Sequence, residues 1–426
     1  MTDTSSIDSA EATAPKSFAA LRHPGFAIYF VGTMLAMMAD SIEHVISYWV
    51  IFAKFASPGL QGFAVISHWV PFLLFSVYAG ALADRFDPRR IIQVGMGMFI
   101  FVSLGWGFLF FYDGLEQWHA VVLLIIHGLA GVLWGPAAQL LIHDIVGAAH
   151  LQSGVRLLAG ARTLGFLLGP VVGGALMLWL GPALGILVNA AIYLPLTLWL
   201  WKAPYGPRFR SADDAPRQPI RGLMDIVETI KHVRTLPRIM YMTLLGGVAA
   251  LLVGIAFQAL LPAFAIALGA ERAENQYFML LTANAAGALA AVVILEGGGF
   301  LQARVRTAFV LVFLWGCFMT AFALSRDLVL STALLFLAGF FHFSYGAMLQ
   351  TLVQLEAPVE ARGRFIGLYN MSALGLMSFS GLTIGVFGEF VGIRWSLGLS
   401  SGLLVAAVLI LYAMVRRRGA VPGLMS

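Results

Sequence analysis

The chain has 426 residues, of which 60% are hydrophobic and only 11% are charged. Soluble domains carry about 25% charged residues, so this composition excludes a large soluble enzyme and indicates a polytopic membrane protein. The formal net charge is +5, and the single cysteine, Cys317, excludes an intrachain disulfide.

The first 25 residues predict a cytosolic tail. Met1 to Ala20 is polar and lacks the apolar stretch of a signal peptide, so we expect disorder there. After the tail, twelve apolar runs each approach the roughly 20 residues that cross a bilayer. They begin near Phe26, Phe63, Ile91, Trp118, Leu157, Pro182, Ile239, Gln276, Val305, Leu328, Phe365 and Ile393. The sequence therefore predicts an all-α membrane protein with twelve transmembrane helices.

The first span contains three polar side chains at helical spacing. Asp40, Glu43 and His44 stand at i, i+3 and i+4 and so share one helix face. A carboxylate at the bilayer centre costs about 2.5–3.5 kcal/mol on insertion scales, so such residues usually face a cavity and serve function. We expect a proton-coupling site here. The alternative is a structural cluster that holds two helices together by hydrogen bonds.

The loop between spans two and three carries a dense charge motif: Gly80, Asp84, Arg85, Arg89 and Arg90. Gly80 permits close helix approach, and Asp84 can accept from arginine side chains or from a helix N-terminus, whose dipole favours an anion. We expect these residues to gate one face of the protein. Ordinary positive charge on cytosolic loops would explain the arginines but not Asp84.

Span five has small residues every fourth position. Gly165, Gly169 and Gly173 clear one helix face, Gly174 follows, and Pro170 bends the helix. Arg162 lies just inside the same span. Span eight offers a small-residue face as the expected partner, formed by Ala283, Gly287 and Ala291.

A polar insert at 202–238 divides the chain into bundles of six spans, 26–201 and 239–415, and a short tail follows at 416–426. With both termini placed in the cytosol, 21 of the 26 Lys and Arg residues lie on cytosolic segments. The loops after spans four and ten are bracketed alike, by Asp144 and Arg156 and by Glu356 and Arg364. This indicates a duplicated, pseudo-symmetric pair of bundles with substrate bound between them.

Other polar and aromatic residues of the spans are candidates for a substrate cavity. They are His127, Trp134, Gln258, Asn284, His342 and Tyr345. Interhelical hydrogen bonds and interfacial aromatic belts are the alternative for each. His127 and His342 are also candidates for a titrating pathway, because histidine changes charge near neutral pH. The sequence has no metal-spaced Cys/His set, phosphate loop or nucleophile–base pair. We therefore expect no metal site, no cofactor, no enzymatic activity and no nucleic-acid partner.

These motifs resemble those of a known group of transporters. Gly80 to Arg90 resembles the major facilitator superfamily signature, although Asp87 fills its glycine slot and Pro88 a basic slot. Gly169 to Gly174 resembles the Gly-Pro-x-x-Gly-Gly motif of antiporters in that superfamily, which implies a tight seal against leak. Segments 136–146 and 358–364 are similar to the branch that contains the enterobactin exporter and macrolide efflux proteins. The resemblance implies the major facilitator fold of two six-helix bundles. It also implies a gating role for Asp84 and Arg85.

Together these features predict a proton-coupled exporter of a small amphipathic compound such as a siderophore or drug. We expect a monomer with both termini cytosolic, embedded in the lipid bilayer of the inner membrane. One alternative is a proton symporter or facilitator that imports a small solute on the same fold. Another is a membrane sensor that transports nothing.

Overall fold

A computed structural model describes residues 18–55, 58–209, 224–254, 256–268, 273–298, 303–380, 384 and 387–418. This part of the chain is helical throughout, as predicted. The helices are α1 Pro24–Phe55, α2 Pro58–Arg85, α3 Pro88–Phe111, α4 Gln117–Val146, α5 Leu151–Ile192, α6 Leu194–Lys202, α7 Met224–Val233, α8 Pro237–Leu252, α9 Ala256–Ala267, α10 Ala273–Gly298, α11 Val305–Leu324, α12 Leu328–Glu356, α13 Arg362–Asn370, α14 Met377–Ser380, α15 Phe387–Val391 and α16 Ile393–Arg418.

Local sequence sets where several helices begin and break. The Asp87 side chain caps α3 by accepting from the Arg89 N–H at 3.0 Å, and Pro88 occupies the first helical position. Asp327 caps α12 in the same way, through the Leu330 N–H at 2.7 Å. Gly181 has a left-handed φ of 74° and breaks α5 at the predicted boundary between spans five and six.

Eight helical segments of the described residues are long and apolar enough to cross a membrane. One of these segments, residues 148–202, is interrupted at Gly181 and so covers two predicted spans. The predicted seventh span comprises α8 and α9. The eleventh begins as α13 and continues through a π-helical turn, Met371–Gly375, into α14. All twelve predicted span starts therefore fall within helices.

Two matching contacts join the halves of the chain. Helix α2 packs along α13, where backbone of Gly80 and Gly363 meets without side chains between. Helix α5 packs along α10, where Arg156 donates to the Leu295 carbonyl at 3.0 Å. Both contacts lie at the end of the molecule that the sequence predicts to be cytosolic.

Helix α7 lies in the described part of the predicted linker at 202–238 and is bent by 114° from α8. Asp225 on α7 is buried and lies 2.9 Å from the Arg364 guanidinium, so the linker packs against the second half. Of the predicted tails and linker, residues 1–17, 210–223 and 419–426 lie outside the described residues.

Candidate functional site

The two carboxylates of α1 converge on one imidazole inside the first half of the molecule. The Glu43 Oε1 atom lies 2.7 Å from His127 Nδ1 on α4, and Asp40 Oδ1 lies 2.9 Å from His127 Nε2. The second contact is an ion-pair distance without hydrogen-bond geometry. All three side chains are at most 5% exposed. His127, a candidate for the substrate cavity or for a titrating pathway, bridges the two carboxylates.

Glu43 is held on its other oxygen as well. Ser103 on α3 donates to Glu43 Oε2, and the Asn189 amide on α5 donates to the Ser103 hydroxyl at 3.3 Å. A buried charge needs such partners, because an unpaired one would be strongly destabilising. Side chains of α3, α4 and α5 therefore hold the Glu43 carboxylate of α1 in place.

Two further histidines complete the group, which we call the histidine–carboxylate cluster (Asp40, Glu43, His44, His68 and His127). His44 Nδ1 lies 3.7 Å from Asp40 Oδ2, and the His44 side chain is 22% exposed. Its ring centroid is 4.9 Å from that of His68 on α2 and 4.7 Å from that of His127. One ring nitrogen from each histidine lies within 4.8 Å of the other two. Three imidazoles can hold one cation, although this spacing requires the rings to move closer together first.

Asp40, Glu43 and His44 lie in one region, as their helical spacing predicted. The spacing within one helix could not identify their partners on other helices. Ser103 and Asn189 lie 60 and 146 positions after Glu43, on apolar helices where they carry no distinguishing pattern. A histidine within an apolar run was the one available signal, and it applied equally to His68, His127 and His342.

The expected gate is a contact between the two halves. The Asp84 carboxylate accepts the backbone N–H of Gly363 at 2.5 Å and of Arg364 at 3.0 Å. These N–H groups lie at the N-terminus of α13, where unpaired donors and the helix dipole favour an anion. Of the two partners considered for Asp84, the structure therefore shows the helix N-terminus. Arg364 turns its side chain to Asp225 instead.

The arginines of the motif lie elsewhere. Arg89 pairs with Asp87 at 2.6 Å and also donates to the Ala203 carbonyl, so it ties α3 to the end of α6 within one half. Burial raises the pKa of Asp87, but the hydrogen bonds from Arg89 outweigh this and place that pKa below its ordinary value. Arg90 bonds Gln93, and Arg85 is exposed beside Phe86. These three arginines do not contribute to the Asp84 contact.

The glycine face of span five packs against α1, not against span eight as expected. A Cβ placed on Gly165 would lie 2.8 Å from Met38 N, and one on Gly173 would lie 3.3 Å from Ile42 Cα. A Cβ on Gly169 would collide with Ser41, the neighbour of Asp40. Gly174 has no such neighbour within 4 Å. Pro170 lies within the same helix, α5. Gly287 of span eight instead faces the Phe336 carbonyl of α12.

The remaining predicted cavity residues are dispersed. Arg162 lies over the Trp134 ring at 5.2 Å, and His342 stacks on Trp315 at 4.9 Å, with Tyr345 beside it. Asn284 donates to the Leu335 carbonyl at 3.4 Å, which is the interhelical bond of the alternative interpretation. The side chain of Gln258 lies outside the described residues. The structure also joins Gln139 to Asn370 across the halves at 3.3 Å, a pair that sequence reasoning missed.

Comparisons with known proteins place these features among transporters. A family model described as transmembrane secretion effector matches residues 15–421. The Bacillus subtilis protein YfiS, an uncharacterized MFS-type transporter, is 24% identical over 84% of this chain and 85% of its own length. The staphylopine export protein of Staphylococcus aureus is 21% identical over 82% of this chain and 85% of its own. The multidrug efflux pump Tap of Mycobacterium tuberculosis is 25% identical over 40% of this chain and 42% of its own.

Solved structures support the fold alone. The major facilitator superfamily transporter FucP, in its outward conformation, matches 91% of this chain and 98% of its own with a TM-score of 0.75, at 12% identity. The expected fold, two pseudo-symmetric bundles of six transmembrane helices, is thereby confirmed.

Proposed function

Because the chain belongs to the transmembrane secretion effector family of the major facilitator superfamily, we propose that it exports a small amphipathic compound in exchange for protons. Members of this superfamily are transporters and not enzymes. One chain supplies both halves that alternating access needs, so a monomer in the inner membrane, with both termini cytosolic, is the proposed unit.

The observation that carries the coupling is the placement of Asp40 and Glu43. Two carboxylates lie in the core of a transport bundle, away from lipid, on the helix that the span-five glycine face contacts. An ionisable residue inside the membrane is by default a functional site. Each proton that crosses a 100 mV potential contributes about 2.3 kcal/mol, so one coupled proton supports useful accumulation.

The direction of transport is supported by the relatives. Two of them are named as a multidrug efflux pump and a staphylopine export protein, and both names describe export. Drugs and siderophores are the substrate classes that we propose for this chain. The likeness to symporters rests on fold at 12% identity and does not argue for import.

The two contacts between the halves support alternating access. The Asp84–α13 contact and the Arg156–Leu295 contact hold the predicted cytosolic end closed. The substrate is then released outside the cell while this end is closed. It is loaded from the cytosol only after both contacts have parted. Asp84 and Gly80 are the proposed gate, and Arg85, Arg89 and Arg90 flank it.

The test uses inside-out vesicles from a host strain that lacks its main multidrug pumps, with an acidified lumen and a dye that reports the pH gradient. Erythromycin, ethidium and enterobactin are the probes. We expect at least one probe to release protons from wild-type vesicles, Asp40→Asn to abolish this release, and the exposed-acid control Asp113→Asn to preserve it. Wild-type vesicles that respond to no probe, or an Asp40→Asn variant equal to the wild type, would contradict the proposal. Proton-driven accumulation in the opposite direction would support the import alternative.

A further inference from the structure

The histidine–carboxylate cluster contains two more histidines than are needed to bridge its carboxylates, because His127 alone contacts both of them. His44, His68 and His127 come from three different helices, α1, α2 and α4, and each presents a ring nitrogen within 4.8 Å of the others. His44 Nε2 and His68 Nδ1 are buried and make no hydrogen bond within the described part of the chain, whereas His127 Nε2 lies 2.9 Å from Asp40 Oδ1. Buried polar atoms normally have a partner, so two unsatisfied imidazole nitrogens beside a third that faces a carboxylate indicate an occupant.

We propose that this cluster binds one divalent transition-metal cation of the Zn²⁺ or Co²⁺ type, with His44, His68, His127 and the Asp40 carboxylate as ligands. Three imidazoles and one carboxylate form a donor set that these ions accept, and four ligands match the number that zinc takes in closed sites. The nitrogens are at most 4.8 Å apart. In a tetrahedral site with Zn–N distances of about 2.0–2.1 Å, the nitrogens lie roughly 3.4 Å apart, so side-chain rotations that bring them about 1.4 Å closer would close them on one ion.

The environment of His127 has the form of a metal-ligand shell. A metal-bound histidine commonly donates its second ring N–H to a carboxylate, which fixes its tautomer and orientation. Here Glu43 accepts at His127 Nδ1 at 2.7 Å and is itself held by Ser103, which leaves His127 Nε2 toward Asp40. Glu43 is therefore a positioning residue for the site and not a ligand.

Charge favours the same occupant. Two buried carboxylates lie within contact distance of His127, and the other titratable side chains beside them in the described residues are His44, His68, Tyr48 and Tyr193. A dication would neutralise the carboxylate pair inside the low-dielectric bundle. Imidazole and carboxylate bind metal only when deprotonated, so the ion and the coupling protons would exclude each other from the cluster.

The test measures binding at equilibrium on the full chain in detergent micelles, purified without a polyhistidine tag and stripped with a chelator. We expect about one Zn²⁺ per chain by dialysis and elemental analysis, and visible absorption bands of four-coordinate Co²⁺ when Co²⁺ is the probe. His68→Gln and His44→Gln should lose most of the binding. His68→Cys, which keeps a metal-binding side chain, should retain it. Glu43→Gln should weaken binding by about 10–100-fold.

The matched control is His342→Gln, which removes a buried histidine from the other half of the chain and should bind like the wild type. Wild-type protein that takes up no more metal than His68→Gln would overturn the inference, as would equal loss in His342→Gln. Size-exclusion profiles identify any variant that fails to fold, and His68→Cys then decides the outcome. No gradient or organic probe is used, so this result and that of the efflux test stand independently.

Discussion

At the scale of single residues, the site depends on one imidazole placed between two acids. The sequence identified Asp40, Glu43 and His44 from their spacing on a helix, but His127 lies 84 positions after Glu43 and was grouped with unrelated cavity residues. Its role follows only from the packing of α4 against α1 and α3. Residue spacing predicts neighbours within one helix, whereas partners on other helices depend on how the bundle packs.

His127→Ala should destabilise the protein by about 3–5 kcal/mol, because it leaves two buried carboxylates without their shared partner. Adding Glu43→Gln should recover part of the loss, since one unpaired charge is then removed. His342→Ala serves as the control, because that ring stacks on Trp315 and forms no ion pair within the described residues, and it should cost less. The measurement is unfolding by denaturant in mixed micelles. If His342→Ala costs as much as His127→Ala, or if Glu43→Gln adds to the loss, the pairing does not stabilise the fold as argued.

At the scale of helices, hydropathy and charge predicted the spans well and their neighbours poorly. All twelve predicted starts fall in helices, and the break between spans five and six coincides with Gly181. The expected partner of the span-five glycines was wrong, however: they contact α1, and Gly287 of span eight contacts α12. Stripes of small residues show that a close contact exists, but they carry no information about which helix makes it.

Two glycines of the same motif give a test of this packing. A Cβ on Gly165 would lie 2.8 Å from Met37 Cβ and from Met38 N, and the α1 backbone cannot move away without separating the helices. We expect Gly165→Ala to destabilise the protein by about 1–3 kcal/mol and to slow efflux, as overpacking does. Gly174→Ala meets no atom within 4 Å and should be neutral or stabilise the helix by up to about 1 kcal/mol. Equal effects of the two variants in thermal unfolding would contradict a close α1–α5 contact.

At the scale of the whole molecule, the two predicted halves make corresponding contacts with each other. Bracketing charges after spans four and ten predicted two related halves, and the structure places Arg156 and the start of α13 in equivalent contacts with the opposite half. The sequence offered arginine side chains and a helix N-terminus as partners of Asp84, but it could not choose between them, because nearly every residue carries a backbone N–H group. For the same reason the arginines of the motif were assigned to the gate with Asp84, although Arg89 binds within its own half.

The Asp84 contact should set how long the predicted cytosolic end stays closed. Its carboxylate accepts two N–H groups across the halves, and hydrogen bonds to a charged group contribute about 1.5–3 kcal/mol each. Asp84→Asn replaces the charged acceptor with a neutral amide, so it should raise the population of the open state by roughly 5–150-fold, the range of a 1–3 kcal/mol coupling. Asp87→Asn is the matched control, because that acid caps α3 and pairs with Arg89 inside one half. Spin labels at the exposed positions Arg90 and Glu360, in a Cys317→Ser background, report the separation of the halves by pulsed electron resonance. A longer distance in Asp84→Asn alone is expected, whereas an unchanged distribution, or an equal shift in Asp87→Asn, would show that the contact does not hold this end closed.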